Sequence, residues 1–397
     1  MVHLPDSMIQ LLKLAKISSM YPGYLRALYA RYPEAADSSY AEQYRLIMDG
    51  GFGWSDFWKR HLEATGRFEV LEIVINAEPL QRAWAREHGL SVTAENWREE
   101  VVTRQVAGFQ PDILFPHDFH LISPEFRARL RNECPSIQRT VFYDGVGFCR
   151  ALEFPDCDLM LSCVQFIVDY YRAAGLKADI FKLGFEHTLL ERVHQSTERS
   201  TGAIFVGSVY LRPFAHMARL AVLAKLAREQ RLWLYLNAPG GRELVAHGVR
   251  LLLERRWAEL AAFPCTATRA LRLGSRNRGS LYGLEMYSAL STAQICVNVH
   301  IDTSGNMAGN MRMFEATGMG CCLLTDYKEN LRELFEPDRE VITFRSATEC
   351  AGKLSYLLDH PIECAKIAHA GQQRTLRDHR LDAQILRMAD TLLTLAS

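Results

Sequence analysis

The stretch from Asn306 to Asp326, NMAGNMRMFEATGMGCCLLTD, sets one carboxylate, Glu315, in an apolar run punctuated by glycine. A carboxylate there is costly to bury unless it accepts hydrogen bonds. Its two oxygens suit paired donors, and the two vicinal hydroxyls of a ribose are such a pair. The competing reading is a surface pair with Arg312, three residues earlier, which contributes about 0.2–0.5 kcal/mol. The residues alone leave both open. Just upstream, HIDTSGNMAGN reads as a loop of small and polar residues between a strand at 294–299 and a helix at 310–318. A helix N-terminus exposes unpaired N–H groups and the positive end of the helix dipole. Gly305, Gly309 and Asn310 are therefore placed to let a phosphate approach. Gly318 is expected to cap the helix rather than touch a ligand.

Proton-transfer chemistry is offered in the other half of the chain. His117, Asp118 and His120 follow an expected strand at 113–116, and Asp144 and Gly145 follow one at 140–143. In open α/β sheets ligands bind outside the carboxyl ends of strands. A histidine near neutral pKa or a carboxylate placed there can take the proton of a hydroxyl. Asp118 and His117 are favoured over Asp144, which also reads as a turn residue before glycine. The histidines also read as packed or exposed loop residues. His117 and His120 have a spacing that could hold a metal but lack a clear fourth ligand. Neither a metal nor another cofactor is expected.

The elements that must position these groups alternate between strand and helix. Strands are expected at 9–17, 68–75, 113–116, 140–143, 158–162 and 178–183. A helix at 165–174 sets Phe166, Ile167, Tyr170 and Tyr171 on one side and stops at Gly175. Another, at 56–65, follows Ser55 and stops at Gly66. Between 184 and 201 the pattern lapses into a polar stretch, which marks a domain boundary. Alternation then resumes, with strands at 203–206, 232–236, 294–299, 321–325 and 340–344 and a helix at 215–230. Ser346 and Glu349 have the spacing of a capping box. Pro361 opens a further helix. The expected class is α/β: two doubly wound, Rossmann-like domains facing across a cleft, 1–190 and 191–397, with the last helix able to pack back on the first.

The totals agree with two ordinary cores. The chain has 397 residues, 48% hydrophobic and 23% charged, which excludes disorder and suits two domains. Lysine plus arginine equals aspartate plus glutamate, 46 of each. Bulk charge thus gives no reason to bind nucleic acid and allows at most peripheral contact with a membrane. The first residues lack a basic leader, and no segment has the roughly 20 apolar residues of a membrane span. Ten cysteines without a CxxC pair read as reduced residues of a cytoplasmic protein. Arg269, Arg272, Arg276 and Arg278 form a basic segment, either a solvated loop or a surface for phospholipid or a polyprenyl phosphate.

The segment NMRMFEATGMGCCLLTDYKENLRELFEP resembles the nucleotide-sugar segment of glycosyltransferases with the two-lobed GT-B fold, in particular the bacterial group related to the spore-maturation protein CgeB. LYGLEMYSALSTAQICVNVH before it and REVITFRSATECAGKLSYLLDHP after it fit the same pattern, so the resemblance covers most of residues 281–361. SMYPGYL, FGWSDFWKRHLEATG, INAEPLQ and QPDILFPHDFH extend it less distinctively to the N-terminal half. The resemblance implies a glycosyltransferase that moves a sugar from a nucleotide-diphosphate donor to a glycan, glycolipid or small-molecule acceptor. It assigns Glu315 to the ribose. It assigns the loop with Asn306, Gly309 and Asn310 to the diphosphate, helped by Gly207 and by Arg212 or Arg312. His187 falls near the donor sugar, and Tyr21 and Tyr24 fall where an acceptor site begins. Many retaining members carry a second glutamate separated by seven residues from the ribose glutamate. Met307 stands there, so both stereochemical outcomes stay open. A nucleotide-sugar epimerase or hydrolase on the same scaffold, and a non-catalytic binding module, are the alternatives.

Overall fold

The computed structural model describes residues 11–145, 154–194, 199–210, 216–229 and 232–397. The chain divides into two units, Met1–Lys182 with Asp382–Ser397, and Leu183–Leu381. Each is built on one parallel sheet.

The first unit holds strands β1 (Leu12–Ser18), β2 (Phe68–Val74), β3 (Ile113–Pro116), β4 (Arg139–Tyr143), β5 (Leu159–Ser162) and β6 (Ala178–Ile180). Their order is β2-β1-β3-β4-β5-β6, and every pairing is parallel. Parallel strands flanked by helices are buried on both faces, which is why these segments read as near-continuous apolar runs. β1 breaks that rule with Lys16. Its side chain lies in register with Glu72 of β2, and both are sealed in the core. Lys16 Nζ donates to the two Glu72 oxygens at 2.8 and 3.1 Å and to Ser18 Oγ at 2.6 Å. Burial holds the Glu72 carboxyl above its usual value, with Lys16 and Ser18 pulling against that rise.

Helix Gln165–Ala173 buries Ile167, Val168 and Tyr171, whereas Phe166 and Tyr170 face solvent. The expected aromatic face is therefore corrected: the i, i+1, i+4 spacing is set by Ile167, Val168 and Tyr171, and the other two rings fall on the outer flank. Gly66 and Gly175 take left-handed backbone at helix ends, φ +67° and +87°, as their positions require. The C-terminal helix Leu381–Ala396 is tied to this unit by Arg67–Asp390 at 2.8 Å and by Arg139 Nε donating to Leu395 O at 2.8 Å.

The second unit holds β7 (Thr201–Ser208), β8 (Leu232–Asn237), β9 (Ala293–Asn298), β10 (Cys322–Asp326) and β11 (Ile342–Phe344), in the order β11-β10-β9-β7-β8. In chain order both sheets thus follow the same 2-1-3-4-5 winding. The order reverses between β1 and β3 in one sheet and between β7 and β9 in the other, and such reversals are where open α/β sheets take ligands. Gly318 ends helix Met311–Gly318 with ordinary backbone; a Cβ there would come within 2.3 Å of the Phe185 ring. Close packing, not capping, requires this glycine, and Gly320, at φ +70°, makes the left-handed turn. Ser346 Oγ accepts from Glu349 N at 3.1 Å, but the glutamate reaches back to Arg345 N at 2.8 Å rather than to the cap residue. Half of the expected capping box forms. Pro361 opens helix Pro361–Asp378 as expected.

Removing one partner of a buried pair strands the other charge, at a cost of about 3–5 kcal/mol. Lys16→Met is expected to lose that much stability, and Lys16→Met/Glu72→Leu to recover most of it. Urea midpoints test this; equal losses in the single and double variants would show that the pair is not the reason.

Candidate functional site

At the carboxyl edge of the second sheet, chain ends leave carbonyls and amides that need partners. Arg219, nearly buried, supplies some of them. Its Nε and Nη2 donate to Val299 O at 3.0 and 2.6 Å, just past β9, and its Nη1 donates to Ser208 O, at the end of β7, at 2.7 Å. The guanidinium thus bridges the two strands between which the order reverses. Beside it, His216 Nδ1 accepts from Tyr210 N at 2.9 Å, and burial together with Arg219 lowers its pKa to about 3. Gly207 occupies β7 next to this edge. Arg212 lies outside the described residues.

β9 delivers Asn298 and His300 to the same edge. Asn298 Nδ2 donates to Thr325 Oγ1 at 3.0 Å, and its Oδ1 accepts from Asn310 Nδ2 at 2.9 Å. Asn310 is the N-cap residue of helix Met311–Gly318, yet its side chain makes no cap bond, and its Oδ1 is buried without a hydrogen-bond partner. His300 is buried, with its N–H and Nδ1 on Asp326 Oδ1 at 3.0 and 2.7 Å. Burial would raise the Asp326 carboxyl, but the hydrogen bond and charge of His300, with Lys328, outweigh it and hold it below its usual value. The loop between His300 and Asn310 is fastened to residues 328–330. Asn306 Nδ2 reaches Glu329 Oε1 at 2.9 Å, Ala308 N donates to Asn330 Oδ1 at 2.7 Å, and Lys328 Nζ donates to Gly305 O. Gly305 takes φ +55° and Gly309 stands one residue before the cap.

Glu315 is 5% exposed. Its Oε2 meets Arg312 Nη1 at 2.7 Å, and its Oε1 accepts from Tyr287 OH at 3.1 Å. Burial first, then the nearby Glu315 charge, drives the Tyr287 hydroxyl well above its usual pKa, so it stays a donor. Arg312 Nε donates to Val206 O of β7 at 3.2 Å, so the first turn of this helix reaches across to the neighbouring strand. The pair with Arg312 exists, but it is buried, and the carboxylate has a second partner. His187 is partly buried with Nε2 3.3 Å from Arg380 Nη2, next to Phe185, whose N–H donates to His379 O at 2.8 Å.

In the first unit, Asp118 follows β3 and accepts a hydrogen bond from Ser19 Oγ, just past β1. This links the two strands between which that sheet reverses. The His117 ring stacks on Trp54, centroids 4.2 Å apart, and burial followed by the Lys16 charge holds it well below its usual pKa, hence neutral. Its Nδ1 is buried without a partner. Asp144 is buried and accepts from Tyr171 OH at 2.8 Å, a core contact rather than an open turn. The two tyrosines after β1 part company. Tyr21 is 52% exposed with an edge contact to Phe52, whereas Tyr24 is buried, stacks on Phe52 at 4.9 Å and donates to Ile47 O at 2.6 Å. Among the described residues, no group of three His, Cys, Asp or Glu could hold a metal ion, and no helix is long and apolar enough to cross a membrane. Asp156 and Asp158 instead face Arg127 and Arg131, at 2.9 and 3.5 Å.

Sequence reasoning passed over Tyr287, Arg219, His300 and Asp326. The last two had a signal: a histidine and an aspartate directly at the ends of neighbouring apolar runs, VNVH and LLTD. Tyr287 and Arg219 sit on helices whose inner faces carry no such mark.

Many solved structures match this chain. The Anabaena protein HepE in complex with UDP-glucose matches with TM-score 0.58 at 10% identity, over 96% of this chain and 100% of its own. Sucrose-phosphate synthase from Thermosynechococcus elongatus matches with TM-score 0.56 at 11% identity, over 97% and 99%. A glycosyltransferase from Rickettsia africae matches with TM-score 0.55 at 9% identity, over 97% and 99%. The fold is GT-B. Residues 224–390 of this GT-B chain match the family described as glycosyl transferase-like. A comparison with curated proteins finds no match.

A carboxyl with a depressed folded pKa contributes stability that is complete above its unfolded value and is lost as pH falls through the folded one. Asp326→Asn is therefore expected to be less stable than the parent near neutral pH. The gap should begin to narrow as pH falls below the ordinary aspartate value of about 3.9 and close once pH is below the depressed folded value. Unfolding curves across pH measure it, and a gap that does not change with pH would refute the link.

Proposed function

We propose that this protein is a glycosyltransferase that takes a sugar from a nucleoside diphosphate donor and delivers it to a hydroxyl or other nucleophile of a glycan, glycolipid or small-molecule acceptor. The observation that carries this reading is the position of Glu315. It is a nearly buried carboxylate in a helix that begins at the carboxyl edge of β7 and β9, within the stretch that matches the glycosyl transferase-like family.

A carboxylate has about four acceptor sites, and Tyr287 and Arg312 use two of those on Glu315. The ribose hydroxyls of the donor take the others. Arg312 then turns from the carboxylate to the diphosphate, exchanging one charge-assisted contact for another. The diphosphate lies against the first-turn N–H groups of helix Met311–Gly318, with Asn306, Gly309 and Asn310 around it and Gly207 leaving room beside β7. As the bond to the sugar breaks, negative charge grows on the departing diphosphate, and the fixed N–H groups and Arg312 stabilise it. Arg212 belongs to the same role by resemblance, and His187 is assigned to the sugar. HepE, a GT-B neighbour, is in complex with UDP-glucose, which makes that nucleotide sugar the first donor to try.

For the acceptor we favour Asp118 as base. Its carboxylate already accepts a hydroxyl hydrogen from Ser19, and a sugar hydroxyl would present the same group. Asp144 is engaged with Tyr171 in the core. His117 is neutral with an unpartnered Nδ1 and is the second choice. Tyr21 offers an exposed ring for stacking on a sugar face; Tyr24, buried against Phe52, is left out of the acceptor site. Neither a metal nor another cofactor is assigned, and a cytoplasmic setting belongs to the same reading, on the absence of a CxxC pair among the ten cysteines. The finer placement, beside CgeB, rests on the FEATG and TD residues.

Melting curves with UDP, GDP, dTDP, ADP and CMP test the donor. A ligand at a hundredfold its Kd adds about 2.7 kcal/mol, so one of the diphosphates is expected to raise the melting temperature and Glu315→Gln to abolish the rise. No rise with any of them sinks the reading. With the donor known, Asp118→Asn is expected to lower kcat by about 10²–10⁴-fold while the melting response to the donor persists. An unchanged kcat would remove Asp118 from the mechanism.

A further inference from the structure

Helices Gly241–Leu253 and Trp257–Gly274 show solvent a face that helices ordinarily keep inside. On the first, Leu244 and Leu251 form the buried side, and the Phe263 ring of the second lies where a Cβ on Gly248 would come within 2.8 Å of it. Away from that side, Val245, Val249, Leu252 and Leu253 repeat at i, i+4, i+7 and i+8, a complete apolar stripe of helical period. They are 51–76% exposed, and Trp257, 61% exposed, follows them at the start of the next helix.

Arginine surrounds this stripe. Residues 241–278 hold eight arginines and three glutamates with no lysine or aspartate, an excess of five positive charges in a chain whose total is zero. Arg242 and Arg250 lie exposed on the striped helix, and Arg272 lies exposed beside exposed Leu271. Some of the eight are engaged: Arg256 pairs with Glu254 and Glu259, and Arg278 stacks over Trp233 at 3.8 Å.

We propose that this helix pair docks on an anionic phospholipid surface. The stripe and Trp257 enter the boundary between headgroups and acyl chains, and the arginines meet lipid phosphates. Charge decides against a second copy of the chain, because a two-fold contact brings together two patches with the same positive excess. A nucleic acid would satisfy the arginines and leave the aliphatic stripe in water. The proposal does not depend on the donor reading.

Flotation of the full chain with phosphatidylcholine vesicles, with and without phosphatidylglycerol, tests it. Binding is expected only with the anionic lipid and is expected to weaken as salt is added. Leu253→Ser/Trp257→Ser and Arg242→Gln/Arg250→Gln should each lower the vesicle partition coefficient about tenfold or more, with melting temperatures like the parent's. Equal binding to both vesicle types, no binding to the anionic ones, or variants that bind as the parent does would overturn it. A dimer in sedimentation that the serine variant dissolves would assign the stripe to a second copy and overturn it too.

Discussion

A parallel sheet cannot satisfy its own ends. Where β7 and β9 stop side by side, backbone carbonyls face an edge with no strand to continue the ladder, and each needs a donor. Arg219 donates to Ser208 O and Val299 O together, so one buried guanidinium fixes the spacing of the two strand ends. Asn298, Asn310 and Thr325 form a second tie, and His300 with Asp326 a third. These bonds hold the loop from His300 to Asn310 on one side and fasten it to 328–330 on the other. A segment rich in small polar residues is thereby kept in one shape, which a binding loop needs if it is not to lose affinity in ordering itself.

Glu315 shows why neither simple reading of the sequence was complete. A surface pair at i, i+3 contributes little, and an isolated buried carboxylate would be costly. The structure combines the two: the pair with Arg312 forms under cover, and Tyr287 OH supplies a second bond from another helix. Two partners still leave acceptor capacity on the carboxylate. The same arithmetic explains Asn310, whose amide nitrogen is engaged on Asn298 while its oxygen has no partner.

The regular parts of the fold were legible because parallel strands buried on both faces give short apolar runs. β3 was read to the residue, and β2, β4, β5 and β10 to within a residue at each end. The helices Gly241–Leu253 and Trp257–Gly274 were not read at all. The first carries apolar residues on two faces, which blurs the 3.6-residue period, and Pro264 interrupts the second. Of the candidate site, Glu315, Asn310 and Arg312 were visible as polar residues out of place in an apolar run. Tyr287, Arg219 and Lys16 were not, because their partners lie far along the chain: Glu315 is 28 residues from Tyr287, Val299 is 80 from Arg219, and Glu72 is 56 from Lys16. Tyr24 failed for the opposite reason, since adjacency to Tyr21 says nothing about which ring points inward.

Two of the buried charge pairs, Lys16–Glu72 and Arg312–Glu315, differ in kind, and the difference separates architecture from chemistry. Lys16 and Glu72 are in-register neighbours on adjacent strands, with side chains about 1% exposed or less, and Ser18 completes the set. Every strong donor there is spent within the core, so the pair can do no more than hold β1 to β2. Arg312 and Glu315 stand on one short helix at a sheet edge, with side chains 18% and 7% exposed. Rotating a single arginine side chain frees the carboxylate at the loss of its bond to Val206 O, and leaves every strand pairing intact. A charge that can be released at the cost of one side-chain rotation is suited to a ligand, whereas one locked between two strands is suited only to the fold.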